Sequence, residues 1–191
     1  MKLLIDILQG MGVAGAAGVR PFLPAFVTGA AGRADLFVDF NGTDFAFLEH
    51  TWWLVAMAVL MVAAVLLRGE LERPAAASAL QGVALGMGGV LCAGFLASDD
   101  YTWWPGIPAG ILCAAITALA ARGVFAGAAA RLDDAARAQL PIYAEGIALL
   151  LAVLAILLPP VSLIALGAAI WLIRGARRRA GEKYAGLRIL R

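Results

Sequence analysis

The residue with the clearest chemical potential is Arg20, which stands inside an apolar stretch from about residue 3 to residue 31. A guanidinium at bilayer depth costs about 3 kcal/mol on insertion scales, so it normally faces a bundle interior, a water-filled cavity or a carboxylate. Pro21 and Pro24 follow it and leave backbone carbonyls without helical donors. This pattern indicates a broken helix with an anion or headgroup contact, or a gating ion pair, at Arg20. A structural salt bridge, or a guanidinium that snorkels to the interface, explains the same residues.

The carboxylate best placed to form an ion pair with Arg20 is that of Glu145, near the start of the last apolar block. There it could pair with Arg20 or carry a proton. It could equally be a first-turn acid that complements a helix dipole.

A second broken helix is predicted at Pro105 and Pro108. Residues 21–25 and 105–109 share the pattern P-x-x-P-A, which raises the hypothesis of an internal repeat. Broken helices at corresponding positions of two repeats often form the central site of a transporter. Chance matches in a sequence rich in Ala, Gly and Pro are the alternative.

Motifs for soluble-type catalysis are missing from the sequence. It has no Walker loop, no G-x-S-x-G, no paired Cys or His ligands and one histidine, His50. We therefore expect no enzyme, no catalytic residue, no metal site and no cofactor.

The elements that hold these residues are predicted to be membrane helices. Of 191 residues, 63% are hydrophobic and 15% are charged, against roughly 45–50% and about 25% in soluble domains. A soluble core could not absorb this excess. The abundance of Ala, Leu and Gly suits closely packed helices rather than porin strands. The fold class is therefore an all-α, polytopic transmembrane bundle.

The number of crossings depends on the last of five apolar blocks, which lie at about 3–31, 51–67, 78–97, 105–130 and 142–173. A span needs about 20 apolar residues. Pro159-Pro160 makes the last block either a hairpin or one kinked helix. A hairpin puts the arginines of 122–141 and the basic tail on one side, which gives six crossings with both termini cytoplasmic. A kinked helix gives five crossings and an external N-terminus.

The charges divide the chain into a transmembrane domain, 1–173, and a basic tail, 174–191. By the positive-inside rule this tail is cytoplasmic and lies near lipid headgroups, and it is not a nucleic-acid arm. Its basic residues assigned to headgroups or topology are Arg174, Arg177, Arg178, Arg179, Lys183 and Arg188. The acidic and aromatic loop 32–50 is expected on the outer surface or folded over the bundle.

Two segments carry a family resemblance. The string G-x-R-P-F-L-P at residues 18–24, and the tail string at 183–188, resemble the bacterial membrane family catalogued as domain of unknown function 4126. The resemblance covers most of the chain, including an acid at Glu145. It implies a bacterial inner-membrane protein and supplies no activity.

Two functions fit these observations. The first is a small transporter or channel for a small anionic solute, with broken helices around a polar site at Arg20. The second is a non-transporting scaffold or accessory subunit that binds lipid or a partner protein. The expected partners are the bilayer and either further copies of the chain or another membrane protein. A cavity reaching Arg20 would favour transport, whereas an arginine sealed in a salt bridge would favour a scaffold.

Overall fold

The computed structural model describes residues 2–67, 69, 73–99 and 101–185, and within these it is helical with no strand. The helices are α1 (Lys2–Val19), α2 (Phe22–Arg33), a 3₁₀ helix (Ala46–Glu49), α3 (Thr51–Leu66), α4 (Pro74–Ala97), α5 (Gly106–Ala129), α6 (Asp134–Arg137), α7 (Leu140–Leu157) and α8 (Val161–Ala185). The all-α prediction is confirmed.

The helices have the lengths and composition of a membrane bundle. Among the described residues, 4 helical segments are long and apolar enough to cross a membrane, in α1, α4, α5 and the α6–α7 region. Two shorter apolar helices are α3 and the first part of α8, Val161–Ala176. The described residues therefore contain six apolar helical segments, four of which have the length of a span.

The chain reverses direction at Arg20-Pro21, so α1 and α2 form a hairpin. α1 runs antiparallel to α4, because Lys2 contacts Asp99 and Gly10 contacts Cys92. α2 returns toward the same end, where Gly32 packs against Glu49. Pro21 cannot continue the ladder of α1, since it has no backbone N–H.

The last apolar block is also a hairpin, which confirms the interpretation favoured from the sequence. α7 ends at Leu157 and α8 begins at Val161, with Pro159-Pro160 in the turn. Along α7, Glu145 lies near Arg20 and Ala155 near Gly12, so α7 is antiparallel to α1. α8 runs parallel to α1, with Ser162 at Gly12 and Leu166 at Gly15.

The bundle has two chemically different ends. We call the end that holds Asp99 and loop 34–50 the loop end, and the end that holds Arg131 and Arg137 the basic end. α1 begins at the loop end, and α8 approaches Arg131 at the basic end. In this structure the two termini therefore lie at opposite ends of the bundle, because the return of α2 adds a reversal that the count of six crossings does not include. The side of the membrane on which each terminus lies stays a prediction.

Loop 34–50 folds over the bundle, as expected from its aromatic residues. Phe40 and Leu48 are fully buried, and the Phe40 ring meets Phe95 of α4 edge-on at 6.0 Å between centroids. The buried Glu49 carboxylate accepts a hydrogen bond from the Phe40 backbone N–H. This cover closes the loop end.

α1 is the central helix, in contact with α2, α4, α5, α7 and α8. Its glycines permit the close approach of these helices. A Cβ at Gly18 would overlap the Ala114 carbonyl and the Thr117 hydroxyl, and one at Gly12 would overlap Ser162. The glycines of α1 therefore serve close helix packing.

Candidate functional site

Arg20 and Glu145 form an ion pair at the tip of the α1–α2 hairpin. The Arg20 Nε lies 3.4 Å from Glu145 Oε1, and the two side chains are 27% and 22% exposed. α1 places Arg20 at its end through a hydrogen bond from the Arg20 N–H to the Ala16 carbonyl. α7 places Glu145 in its second turn. The pairing proposed from the sequence is therefore present.

Backbone carbonyls near this tip lack hydrogen bonds that an uninterrupted helix would provide. The Ala17 carbonyl would bond to the N–H of residue 21, and proline has none. One turn earlier, the buried Thr117 hydroxyl donates to the Gly15 carbonyl at 2.7 Å. The tip thus carries a guanidinium and backbone oxygens that the helix itself does not fully satisfy.

An open cavity of about 860 Å³ lies against the tip. It exists because α1 and α2 stop at Arg20-Pro21, whereas the helices around them continue toward the basic end. Its lining comes from the second half of α3, the first half of α4, the second half of α5, and residues 137–145. Along α5 it extends from Ala118 to Ala129, about 16 Å at 1.5 Å per residue.

The polar groups that line the cavity are mostly cationic. Arg20, Arg122 and Arg137 face it together with Glu145 and Gln81. Within the described residues the side chain of Arg122 makes no hydrogen bond and no ion pair. Three guanidiniums against one carboxylate give the cavity an excess of positive charge, which attracts anions.

Arg137 is held at the mouth of the cavity by local contacts. It pairs with Asp134 at 3.7 Å and donates to the Ala129 carbonyl at 3.2 Å. Its side chain is 53% exposed, so this pair is weak and salt-sensitive. Arg137 can therefore turn toward a ligand at little cost.

The predicted site residues divide between the two ends. Arg20, Pro21 and Glu145 line the cavity, and Pro24 is buried in the first turn of α2. Pro105 and Pro108 lie elsewhere, because Gly106 packs on Ala93 near the loop end. The expected joint site of the two proline motifs is therefore not formed. Pro105 precedes α5 at its N-terminus, where proline is well tolerated, and does not break a helix.

The basic tail residues lie along and beyond α8. Arg174 is exposed on α8, and the helix continues unbroken through the boundary predicted between 173 and 174. Arg177, Arg178, Arg179 and Lys183 belong to this helix, but their side chains lie outside the described part. Arg188 lies outside the described residues.

Sequence reasoning missed two polar residues, one structural and one that lines the cavity. Gln9 donates to the Ile156 carbonyl at 2.7 Å, and so replaces the helical donor that Pro160 lacks. Arg122 was interpreted as part of a cytoplasmic loop, but α5 continues to Ala129 and carries it on the same face as Ala118 and Ala126. The available signal for Gln9 was a single side-chain amide in an apolar helix. The available signal for Arg122 was its position four residues after Ala118.

Comparison with known proteins gives a family match without an activity. The family described as "Domain of unknown function (DUF4126)" matches residues 7–179. No curated protein and no solved structure matches the chain significantly. The matched region contains Arg20, Arg122, Arg137 and Glu145, and the chemistry of the site must come from these residues.

Proposed function

We propose that this chain, which belongs to the DUF4126 family, is a transporter or channel for a small anionic solute. Arg20 is the group that binds the anion. Glu145 neutralises Arg20 while the site is empty. The proposal places the protein in a bacterial inner membrane with its C-terminus in the cytoplasm.

The observation that carries this proposal is the open cavity that reaches the Arg20–Glu145 pair from the basic end. A scaffold gains nothing from keeping an arginine accessible at the tip of the α1–α2 hairpin, and the rival hypothesis expects Arg20 sealed. A transport site instead needs access from one side at a time. Loop 34–50 covers the loop end with the buried side chains of Phe40 and Leu48, whereas the cavity extends from the pair toward the basic end.

The ion pair supplies a way to couple binding to movement. An arriving anion competes with Glu145 for the Arg20 guanidinium, because both are acceptors for the same donors. Loss of the Glu145 contact removes a link between the tip of the α1–α2 hairpin and α7. The hairpin tip is then free to shift. The Arg20–Glu145 contact is thus present in one state and absent in the other, and a two-state transporter requires such a difference.

The orientation follows from the charges at the two ends. Arg131, Arg137 and Arg174 belong to the basic end, whereas loop 34–50 carries Asp35, Asp39 and Asp44. The positive-inside rule places the basic end in the cytoplasm. The cavity then opens toward the cytoplasmic leaflet.

Flux in proteoliposomes tests the proposal. Purified full-length protein is reconstituted and two probes are followed, radiolabelled inorganic phosphate and a fluorescent phosphatidic acid. We expect flux of at least one probe, reduced at least about tenfold by Arg20→Gln, since a charge-assisted hydrogen bond contributes about 1.5–3 kcal/mol. Arg131→Gln, an exposed arginine that does not line the cavity, is the matched control.

Both variants must elute like the parent protein in detergent and remain folded at the assay temperature before their rates are compared. A flux of neither probe above that of protein-free vesicles contradicts the proposal. So does equal flux with Arg20 and with Gln at this position.

A further inference from the structure

The wall of the cavity has the wrong chemistry for a fully hydrated ion. Apart from the charged groups and Gln81, its lining is apolar or glycine, with large side chains such as Met61, Leu80, Phe125 and Leu140. An inorganic anion keeps its hydration shell and gains nothing from such a surface. A hydrocarbon chain gains free energy in proportion to the apolar area it buries there.

The size of the cavity points the same way. Liquid water occupies about 30 Å³ per molecule. The 860 Å³ cavity therefore has room for roughly 29 waters, far more than a small oxyanion occupies. It falls within the range of about 300–1,000 Å³ that is typical of sites for organic ligands.

The cavity also has a lateral side toward the bilayer. α3 packs mainly against α2 and the 3₁₀ helix, which lie toward the loop end. Its second half, including Val62 and Leu66, lines the cavity across from Leu80 and Ala84 of α4. The space between α3 and α4 is therefore part of the cavity, and a molecule from the membrane can enter between them.

The arginines that line the cavity indicate the charge of its ligand. Arg122 lies between Ala118 and Ala126 along the face of α5 that lines the cavity, so its guanidinium stands among apolar lining residues. Its lack of a partner within the described residues leaves its donors for a ligand. Arg20 adds a second cation at the hairpin tip, already engaged by Glu145. Guanidiniums embedded in a hydrocarbon-like wall complement a molecule with an anionic head and an apolar chain.

We infer that the cavity binds an anionic phospholipid taken from the bilayer, with its phosphate on Arg122 and Arg20 and its acyl chain against the wall. The inference rests on the proposed function, since it names the solute class of the same site. It narrows that class from any small anion to a membrane lipid with an exposed phosphate.

Photolabelling tests the lipid site directly. Full-length protein is placed in phosphatidylcholine vesicles that contain a small fraction of phosphatidic acid with a diazirine in its acyl chain. Labelled peptides are then mapped by mass spectrometry. We expect labels on the wall at Leu80 and Phe125, and a loss of about tenfold in Arg122→Gln, the step expected for one charge-assisted contact. Arg122 is exposed, so its replacement leaves the packing intact.

Three controls give the result its meaning. Arg131→Gln, an exposed arginine that does not line the cavity, should label like the parent protein. Phosphatidylcholine with the same photoreactive chain should label the outer face of α3, for example at Val55 and Val59, and spare the wall. Excess inorganic phosphate should not displace the label. Equal labelling of the wall by both lipids, indifference to Arg122→Gln, or displacement by phosphate overturns the inference.

The labelling and the flux experiment can fail separately. Wall labelling of the expected kind without flux of either probe keeps the lipid site and excludes transport. Arg20-dependent flux of phosphate, with labelling that does not distinguish the two lipids, keeps transport and excludes the lipid site.

Discussion

Arg20 and Glu145 lie 125 positions apart in sequence and meet because α1 and α7 are antiparallel neighbours. Each side chain is about three-quarters buried, at 27% and 22% exposure. Their attraction is therefore screened less than that of a surface pair, and each pays a desolvation penalty. Such a pair contributes little net stability when intact, but the loss of one partner leaves a charge without compensation.

Stability measurements on the pair should show this asymmetry. We expect Arg20→Gln and Glu145→Gln each to reduce the free energy of unfolding by about 1–3 kcal/mol, below the range for fully buried pairs because water reaches the cavity. The double variant should lose less than the sum of the two. Chemical unfolding in detergent gives the three values. Additive losses would mean that the pair does not interact.

Gln9 has a purely structural role that can be tested alone. Gln9→Leu should cost about 1–3 kcal/mol, because the buried Ile156 carbonyl is then left without a donor. Gln81→Leu is the control, since Gln81 faces the open cavity. Thermal unfolding of both variants measures the difference. An equal shift for the two would rule out the role assigned to the Gln9 amide.

At the scale of single residues, the sequence predicted the charged residues that lie among apolar neighbours. Arg20 and Glu145 were identified because a charge inside an apolar block requires a partner. Arg122 was missed because it lies near a polar segment, and only the length of α5 shows that it faces the cavity. Gln9 was missed because its partner is a backbone carbonyl 147 residues away, which no side-chain pattern records.

At the scale of elements, the same proline rule had three outcomes. Pro159-Pro160 was correctly predicted to separate two helices, since two residues without N–H groups cannot lie in one helix interior. Pro21 also reverses the chain, but α2 has only 12 residues, too short to be counted as a span. Pro105 only begins a helix. Whether a proline breaks a helix or begins one depends on its position relative to the preceding turn, and that position depends on tertiary structure.

Glycine positions test the packing of the elements. Gly18→Ala should destabilise the bundle by about 1–3 kcal/mol, because the new methyl group meets the Ala114 backbone carbonyl, which cannot move alone. Gly82→Ala meets open space and should stabilise α4 by up to about 1 kcal/mol through helix propensity. Unfolding midpoints of the two variants give the comparison. Shifts of the same sign would refute the assigned contact of α1 with α5.

At the scale of the whole molecule, two hairpins enter the bundle from opposite ends. The α1–α2 hairpin has its tip at Arg20 and opens toward the loop end, whereas the α7–α8 hairpin has its tip at Pro159-Pro160 and opens toward the basic end. They pack together through α1, which contacts both α7 and α8. The cavity is the space left under the first tip, so its position is a consequence of where α1 ends.

The arrangement of the two hairpins puts Lys2 and Arg174 at opposite ends of the bundle, and cysteine labelling measures whether these ends lie on opposite sides of the membrane. Single cysteines are introduced as Lys2→Cys, Asp39→Cys, Arg137→Cys and Arg174→Cys in a background without the two native cysteines, both of which are buried. A membrane-impermeant maleimide should label positions 2 and 39 from one face of intact cells, and positions 137 and 174 only after permeabilisation. The reason is geometric, because Lys2 contacts Asp99 at the loop end while α8 leads away from it. Labelling of positions 2 and 174 from the same face would show that the α1–α2 reversal does not occur in the membrane. The cavity below Arg20 would then have no structural basis.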